Sequence, residues 1–361
     1  MKHKSPEVDS WKVKLLDLAH TMPMAAAREQ LGLTEGRVKE WRRYDSEFSA
    51  AYAAASESRA APTAAPETPR FLQDVQELLG ALPAISSPKL RVGPGDEEEA
   101  VLHLTDLHCG RRTESFNSQV LAKRLQTLAN GIAAIVGLHR KAYPIKTLHI
   151  FATGDWAQGE KVRIIPLEGF EFGYPQQVAT LLKLIPEFLG AMLGLFQEVH
   201  LYGVPGNHGR PDVQHGTLQN WDRTVYDMIQ LRMSGNKRFH ATLAAPDRFY
   251  LVAPVNGTRF FLTHGADIPI IMTVPFYGIT TKALRWKQSI PEPWDALVLG
   301  HFHTLLSMVF NTVPILMSGT AVSDDDYPRR RMGMESENKM WFFGVHPRVG
   351  ITWRYAMDLR K

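Results

Sequence analysis

Five short runs in this sequence end in side chains that can hold divalent metal ions. "TDLH" presents Asp106 and His108, "ATGD" presents Asp155, and "PGNH" presents Asn207 and His208; "LTH" presents His264, and "GHFH" presents His301 and His303. A lone histidine beside an apolar run is most often a satisfied polar residue, and Gly and Asn populate turns for purely local reasons. The ordered set is different: an Asp-x-His, a Gly-Asp, a Gly-Asn-His, a single His and a Gly-His-x-His, each directly behind an apolar stretch. Chance rarely assembles carboxylate, imidazole and amide donors in that order, so the set points to a metal centre.

Such donors act together only if separate segments bring them to one place. The runs that carry them, "VLHLTDLH", "TLHIFATGD", "VHLYGVPGNH", "RFFLTHG" and "ALVLGHFH", read as strands separated by helical stretches or longer loops. That pattern predicts a layered α/β fold whose C-terminal strand ends meet at one edge. His103, His149 and His200 fall inside the strand runs and are expected to be packed or hydrogen-bonded core residues. Cys109 follows a candidate ligand and reads as a small buried side chain. The aromatic run "MWFFGVHPRVGITWRYAMDL" reads as closing strands and their turn. The most apolar stretch, "VATLLKLIPEFLGAMLGLF", carries Lys183, Pro186 and Glu187, which favours a core helix over a membrane span.

The first hundred residues are organised differently. Residues 11–56 read as helices, with a break at Gly32 to Thr34 inside "AAAREQLGLTEGRVKEWRRY" and Thr34 as the N-cap of the helix that follows. This is helix-turn-helix spacing. Together with "WRRYDSEF", Trp41 to Phe48, the segment resembles the helix-turn-helix of phage terminase small subunits. Arg37, Lys39, Arg42 and Arg43 would contact nucleic acid there, with Glu35 and Glu40 diluting the charge. "SESRAAPTAAPETPR" reads as a flexible or semi-extended linker, "FLQDVQELLGAL" as a short amphipathic helix, and "SSPKLRVGPGDEEEA" as a second linker. The expected division is a small all-α module at 1–56, a linker with one helix at 57–99, and the large domain at 100–361. A net charge of +4 and a pI near 9.0 tilt the chain towards phosphate-rich partners. A single cysteine excludes an internal disulfide and a cysteine metal cage; with no signal-peptide pattern, a cytoplasmic location is expected.

With the five motifs in place, residues 100–320 resemble the calcineurin-like metallophosphoesterases, the superfamily that includes the Mre11/SbcD nucleases. The resemblance implies a layered β-sandwich flanked by helices and a pair of metal sites. By position, Asp106, His108, Asp155 and His303 would take the first ion, and Asp155, Asn207, His264 and His301 the second, with Asp155 bridging. Donors of this kind without thiolate suit manganese first, then iron or zinc, rather than calcium. Two divalent ions about 3.5–4 Å apart can activate a shared water and hold the attacking and leaving oxygens of an in-line displacement. The resemblance leaves His208 as a non-ligand that contacts phosphate or protonates the leaving oxygen.

Two departures bear on function. Many relatives follow the Asn-His pair with an acidic residue that orients the histidine, whereas Gly209 follows here. The Ser/Thr phosphatase branch carries Asp-Arg-Gly after its Gly-Asp motif, and this chain reads "GDWAQGE". The expectation is therefore a two-metal DNA phosphodiesterase, a nuclease recruited by the N-terminal module and partnered with DNA and with phage or host replication and repair proteins. Arg111, Arg112, Arg210 and the run Arg329 to Arg331 would track the backbone. The alternatives are a phosphoesterase for a small or cyclic nucleotide, and an inert DNA-binding accessory subunit.

Overall fold

Alternation along three parallel strands sorts the side chains of the large domain into layers. In β1 (Glu98–His103), β2 (Ile145–Ala152) and β3 (Glu198–Gly203), Ala100, Leu102, Leu148, Ile150, Val199 and Leu201 enter one apolar cluster, while Val101, Phe151 and Tyr202 enter another. A period of two is what places successive residues on opposite faces of a strand. The computed structural model describes residues 6–57, 95–160, 169–211, 219–270, 275–324 and 335–360. The expected helix in "FLQDVQELLGAL", the Ala/Pro-rich linker and Arg329 to Arg331 lie outside the described residues. The chain divides into two compact units, residues 1–89 and 90–361.

In the second unit the further strands are β4 (Phe239–Leu243), β5 (Tyr250–Val255), β6 (Thr258–Thr263), β7 (Ala296–Leu299), β8 (Leu306–Phe310), β9 (Val313–Met317), β10 (Lys339–His346) and β11 (Gly350–Asp358). They form a six-stranded sheet, β11-β10-β1-β2-β3-β4, and a five-stranded sheet, β5-β6-β7-β9-β8. β1 to β4 run parallel, as do β6, β7 and β9, and the outer pairs β10/β11, β5/β6 and β8/β9 are antiparallel. Between the sheets lie Val101, Phe151 and Tyr202 from the first and Val255, Phe260, Leu262, Val298 and Leu316 from the second. The other face of the larger sheet is covered by α5 (Ser118–His139), α6 (Tyr174–Leu195) and α7 (Trp221–Met233), and that of the smaller by α8 (Phe276–Ser289). Two sheets face to face with helices outside make the layered β-sandwich that the sequence led us to expect.

Among the described residues α6 is the one helix long and apolar enough to cross a membrane by length and composition. Leu181, Ile185, Phe188, Leu189 and Met192 are buried in the main core, and Lys183 and Glu187 are exposed, which is the amphipathic pattern of a helix packed on a sheet. One boundary differs from expectation. β1 begins at Glu98, inside the acidic run read as linker, because Glu98 is buried and accepts hydrogen bonds from Thr352 Oγ1 and Trp353 Nε1.

The first unit contains α1 (Pro6–Ala19), α2 (Met24–Gln30), α3 (Glu35–Tyr44) and α4 (Ser46–Glu57). Gly32, with φ +64°, turns the chain after α2, and the Thr34 hydroxyl caps α3 by accepting from Arg37 N–H. The "WRRYDSEF" stretch builds this unit. Trp41 and Phe48 are buried edge to face at 5.9 Å, and Asp45 caps α4 through Phe48 N–H while pairing with buried Lys12 at 2.7 Å. Arg37, Lys39, Arg42 and Arg43 remain exposed around buried Val38 and Trp41.

Candidate metal centre

The loops that leave β1 and β2 continue to pair after the strands end. Asp106 N–H donates to Gly154 O, His108 N–H to Asp155 O and Cys109 N–H to Trp156 O, at 2.8–3.0 Å. The backbone is otherwise unusual here. Asp106, His108, Asp155, His301 and His303 all have positive φ, between 46° and 71°. Non-glycine residues held there cost roughly 1–3 kcal/mol each, and such strain persists where the surroundings over-determine the conformation. At these positions it turns side chains from three strand-end segments, those after β1, β2 and β7, towards each other.

Three ligand groups result. Asp106, His108 and His303 form one, with His108 Nε2 3.0 Å from His303 Nε2 and Asp106 Oδ1 3.3 Å from His303 Nε2. Asp155, His264 and His301 form a second, with His264 Nε2 3.0 Å from Asp155 Oδ2, 3.2 Å from His301 Nδ1 and 2.9 Å from Asn207 Oδ1. His108, Asp155 and His208 form a third. Asp155 is common to the second and third groups and His108 to the first and third. All seven residues expected as ligands are thus brought together, and His208 lies among them with its ring edge on to His108 at 4.7 Å.

The electrostatics fit a divalent ion pair. Asp106 Oδ2 accepts from Thr105 Oγ1 and His301 N–H, while its fully buried Oδ1 has no hydrogen-bond donor among the described residues. A buried carboxylate oxygen facing imidazole nitrogens is what a cation satisfies. Burial opposes ionisation of Asp155, but His264 and His208 outweigh it and hold the carboxyl well below the usual range. Burial likewise opposes protonation of His264, yet Asp155 and Asp106 push that imidazole up to about 9. His301 is driven the other way, by burial and by His264.

Hydrogen bonds behind the ligands set their tautomers. His264 Nδ1–H donates to Thr153 O at 2.7 Å, which leaves Nε2 as the coordinating nitrogen. His208 Nδ1–H donates to Gln158 O at 2.8 Å. That carbonyl takes the place of the acidic residue absent at 209, where a Cβ would approach Asn220 Oδ1 to 2.2 Å. Gly209 is required by close packing, so the orienting group comes from the Gly-Asp loop instead.

The sequence reading missed Asp222. This fully buried carboxylate at the start of α7 accepts from the backbone N–H groups of Asp155, Trp156, Ala157 and Gly206, at 2.8–3.1 Å. It clamps the Gly-Asp loop to the Pro-Gly-Asn-His loop. Burial and the nearby Asp155 charge raise its pKa to about 6 against the pull of those donors. Its neighbour Asn220 caps α7 and donates to Gly206 O. In the sequence "NWD" signals only a capped helix start, so nothing there separates Asp222 from an ordinary first-turn acid.

The residues expected to be structural are placed so. His103 is buried, bonded to Thr153 Oγ1, and lowered by burial to about 3. His149 is buried and bonded to Glu99, while His200, next to the edge strand β4, is only half-buried. Cys109 is fully buried, and burial raises its thiol. Arg111 donates to Gly169 O, Arg112 is exposed and Arg210 is half-buried.

Comparison with known proteins adds the following. The family model for calcineurin-like phosphoesterases matches residues 100–328. No protein of curated function matches the chain. Among solved structures, wild-type Vps29 from Entamoeba histolytica complexed with zinc is 14% identical, covering 72% of this chain and 99% of that one, at a TM-score of 0.31. Vps29 from Cryptosporidium parvum is 16% identical over 72% and 96%, at 0.31. An archaeal phosphodiesterase is 9% identical over 71% and 99%, at 0.33.

Proposed function

The chain belongs to the calcineurin-like phosphoesterase family, and from that premise we propose that it is a two-metal phosphodiesterase that cleaves DNA, held on its substrate by the N-terminal helices. Metal-dependent hydrolysis of phosphoesters is the chemistry of the family. The observation that carries the catalytic reading is the convergence of Asp106, His108, Asp155, Asn207, His264, His301 and His303. An inert accessory subunit has no use for a complete set held in strained backbone. Bound among these residues, two divalent ions, manganese first, would neutralise phosphate charge and supply an activated water.

The protein's own groups would do the rest. Asp155 and Asp106 offer carboxylates that burial keeps from bulk water, and Thr153 and Gln158 fix the rings of His264 and His208. His208 would bind the phosphate and hand a proton to the leaving oxygen from Nε2, the nitrogen not committed to Gln158. The DNA half of the proposal is supported by the four exposed cations of α3, a short basic face of the kind that contacts backbone phosphate. Arg112 and Arg210 would extend that contact beside the centre.

The deciding assay is digestion of end-labelled linear and closed circular DNA, with cyclic nucleotides and a generic phosphodiester dye in parallel, each with and without manganese. Metal-dependent turnover of DNA above that of the nucleotides is expected. Dye or nucleotide turnover with DNA left intact would transfer the activity to small diesters. Turnover that survives exhaustive chelation would sink the two-metal reading.

A further inference from the structure

A second set of metal-binding side chains lies on β2, β3 and β4, well before the strand ends. His149 is in register with His200, and His200 with His240. Side chains in register on parallel neighbours share a face at about 4.8 Å spacing. The three rings accordingly stack, with centroids 5.0 and 4.6 Å apart and planes 21° and 26° from parallel. Glu198, two residues before His200 and so on the same face, places Oε2 3.3 Å from His200 Nε2 and 3.9 Å from His240 Nε2. Ligand atoms of Glu198, His200 and His240 all lie within 4.8 Å of one another.

We propose that Glu198, His200 and His240 form a further site for a divalent transition metal, zinc in the first instance, which ties the edge strand β4 to β3. Two imidazoles and one carboxylate with an open position are a zinc-type donor set, whereas calcium and magnesium call for more oxygen ligands. In the absence of an ion the single carboxylate faces two stacked imidazoles, and protonating both would set like charges face to face. A cation accepts both lone pairs at once. The three side chains are 27–52% exposed, so an ion enters and the rotamers adjust without opening the core. The inner wall is firm: His149, buried and bonded to Glu99 at 2.8 Å, stacks on His200 and fixes its ring plane.

The placement suggests what the ion does. β4 closes one edge of the six-stranded sheet and, among the described residues, has a strand partner on one side only. A metal shared with β3 adds a second tie, and an ion that binds only the folded state stabilises it by mass action. From His200 to the end of β3 at Gly203 is roughly 10 Å of strand, with Asn207 beyond, so this site is separate from the centre at the strand ends. It stands whether or not that centre cleaves DNA.

The test uses the full-length protein, stripped with chelator, titrated with zinc chloride, desalted and assayed for zinc per chain by mass spectrometry. His240→Ala and Glu198→Gln are treated alongside; both positions are exposed enough to tolerate the change. Wild type should retain one zinc per chain more than either variant, with the affinity of that extra site reduced at least about tenfold, while dye hydrolysis is the same in all three. Added zinc should also raise the melting temperature of wild type further than that of His240→Ala. Equal zinc content, or equal zinc-induced melting shifts, in wild type and variants would overturn the proposal.

Discussion

At the scale of single residues, Asn207 and His208 divide the work although they are adjacent. Asn207 Oδ1 meets His264 Nε2 within the second ligand group, whereas His208 is anchored through Nδ1 on the Gln158 carbonyl. His208→Ala should therefore keep both ions and lose about 10²–10⁴-fold in turnover, the range for a removed general acid. Asn207→Ala should weaken metal binding instead. Elemental analysis beside dye kinetics separates the two, and a His208→Ala protein short of one ion with normal turnover per bound pair would reverse the assignment. His264 gives a pH dependence. Its pKa in the metal-free protein is raised to about 9 by Asp155 and Asp106 against burial, so the protonated ring stabilises the fold below its unfolded value of about 6.5, and that stability is lost as pH rises through about 9. A metal ion must displace this proton. Affinity should rise about tenfold per pH unit up to about pH 9 and then level off, and calorimetry at pH 7.5 in buffers of different ionisation enthalpy should report a released proton. Binding without proton release would show that His264 is already neutral. The residues that converge here were legible in the sequence because each is announced by a strand and a Gly-containing turn. The αL backbone of Asp106, His108, Asp155, His301 and His303 was not, since no side-chain pattern distinguishes a strained Asp106 from a relaxed one.

At the scale of elements, the strand-end loops are held to one another by backbone hydrogen bonds and by the Asp222 carboxylate. Asp222 accepts four backbone N–H groups from two loops. Asp222→Ala should cost more than about 3 kcal/mol in urea unfolding, since each buried unpaired donor costs about 1–3 kcal/mol. Asp222→Asn, which keeps the size and one acceptor oxygen, should fall between. Metal content should drop in the same order as the midpoint, because the clamp sets the Asp155 and Asn207 loops against each other. A wild-type midpoint in Asp222→Ala would remove the clamp from the account. Such a device escapes sequence reading because its partners on the Gly-Asp loop lie 65, 66 and 67 positions away and are all main chain. The elements themselves divide the same way. β1, β2, β3, β6 and β7 were legible as apolar runs that end in donors, and the aromatic pair β10 and β11 by composition. β4 and β8, with only one buried position between them, have no clear apolar alternation to read.

At the scale of the whole molecule, the chain couples an enzyme fold to a unit that has its own core. Leu15, Ala27, Val38, Trp41 and Phe48 are buried among themselves in the first unit, so its helices need no surface of the second to fold. Recruitment and chemistry should then be separable. Deleting residues 1–56 should leave the rate on a small diester dye unchanged, since every ligand of the centre and His208 lie beyond residue 100. On long DNA the truncated protein should bind more weakly at moderate salt, and the difference should shrink as salt rises, because cations on phosphate act by releasing counterions. Lys39, Arg42 and Arg43 would supply part of that term. Lys39 is also paired with Glu35 at 2.8 Å and Arg42 lies over the Tyr52 ring at 4.7 Å. Each must trade an internal contact for a phosphate, so the loss from any single substitution should be smaller than its charge suggests, and the triple substitution should approach the deletion. DNA affinity of the full-length, truncated and triple-substituted proteins across a salt series, paired with dye hydrolysis, measures all of this at once. Equal DNA affinities at every salt concentration would assign the N-terminal helices to a protein partner and leave substrate binding to the large unit alone.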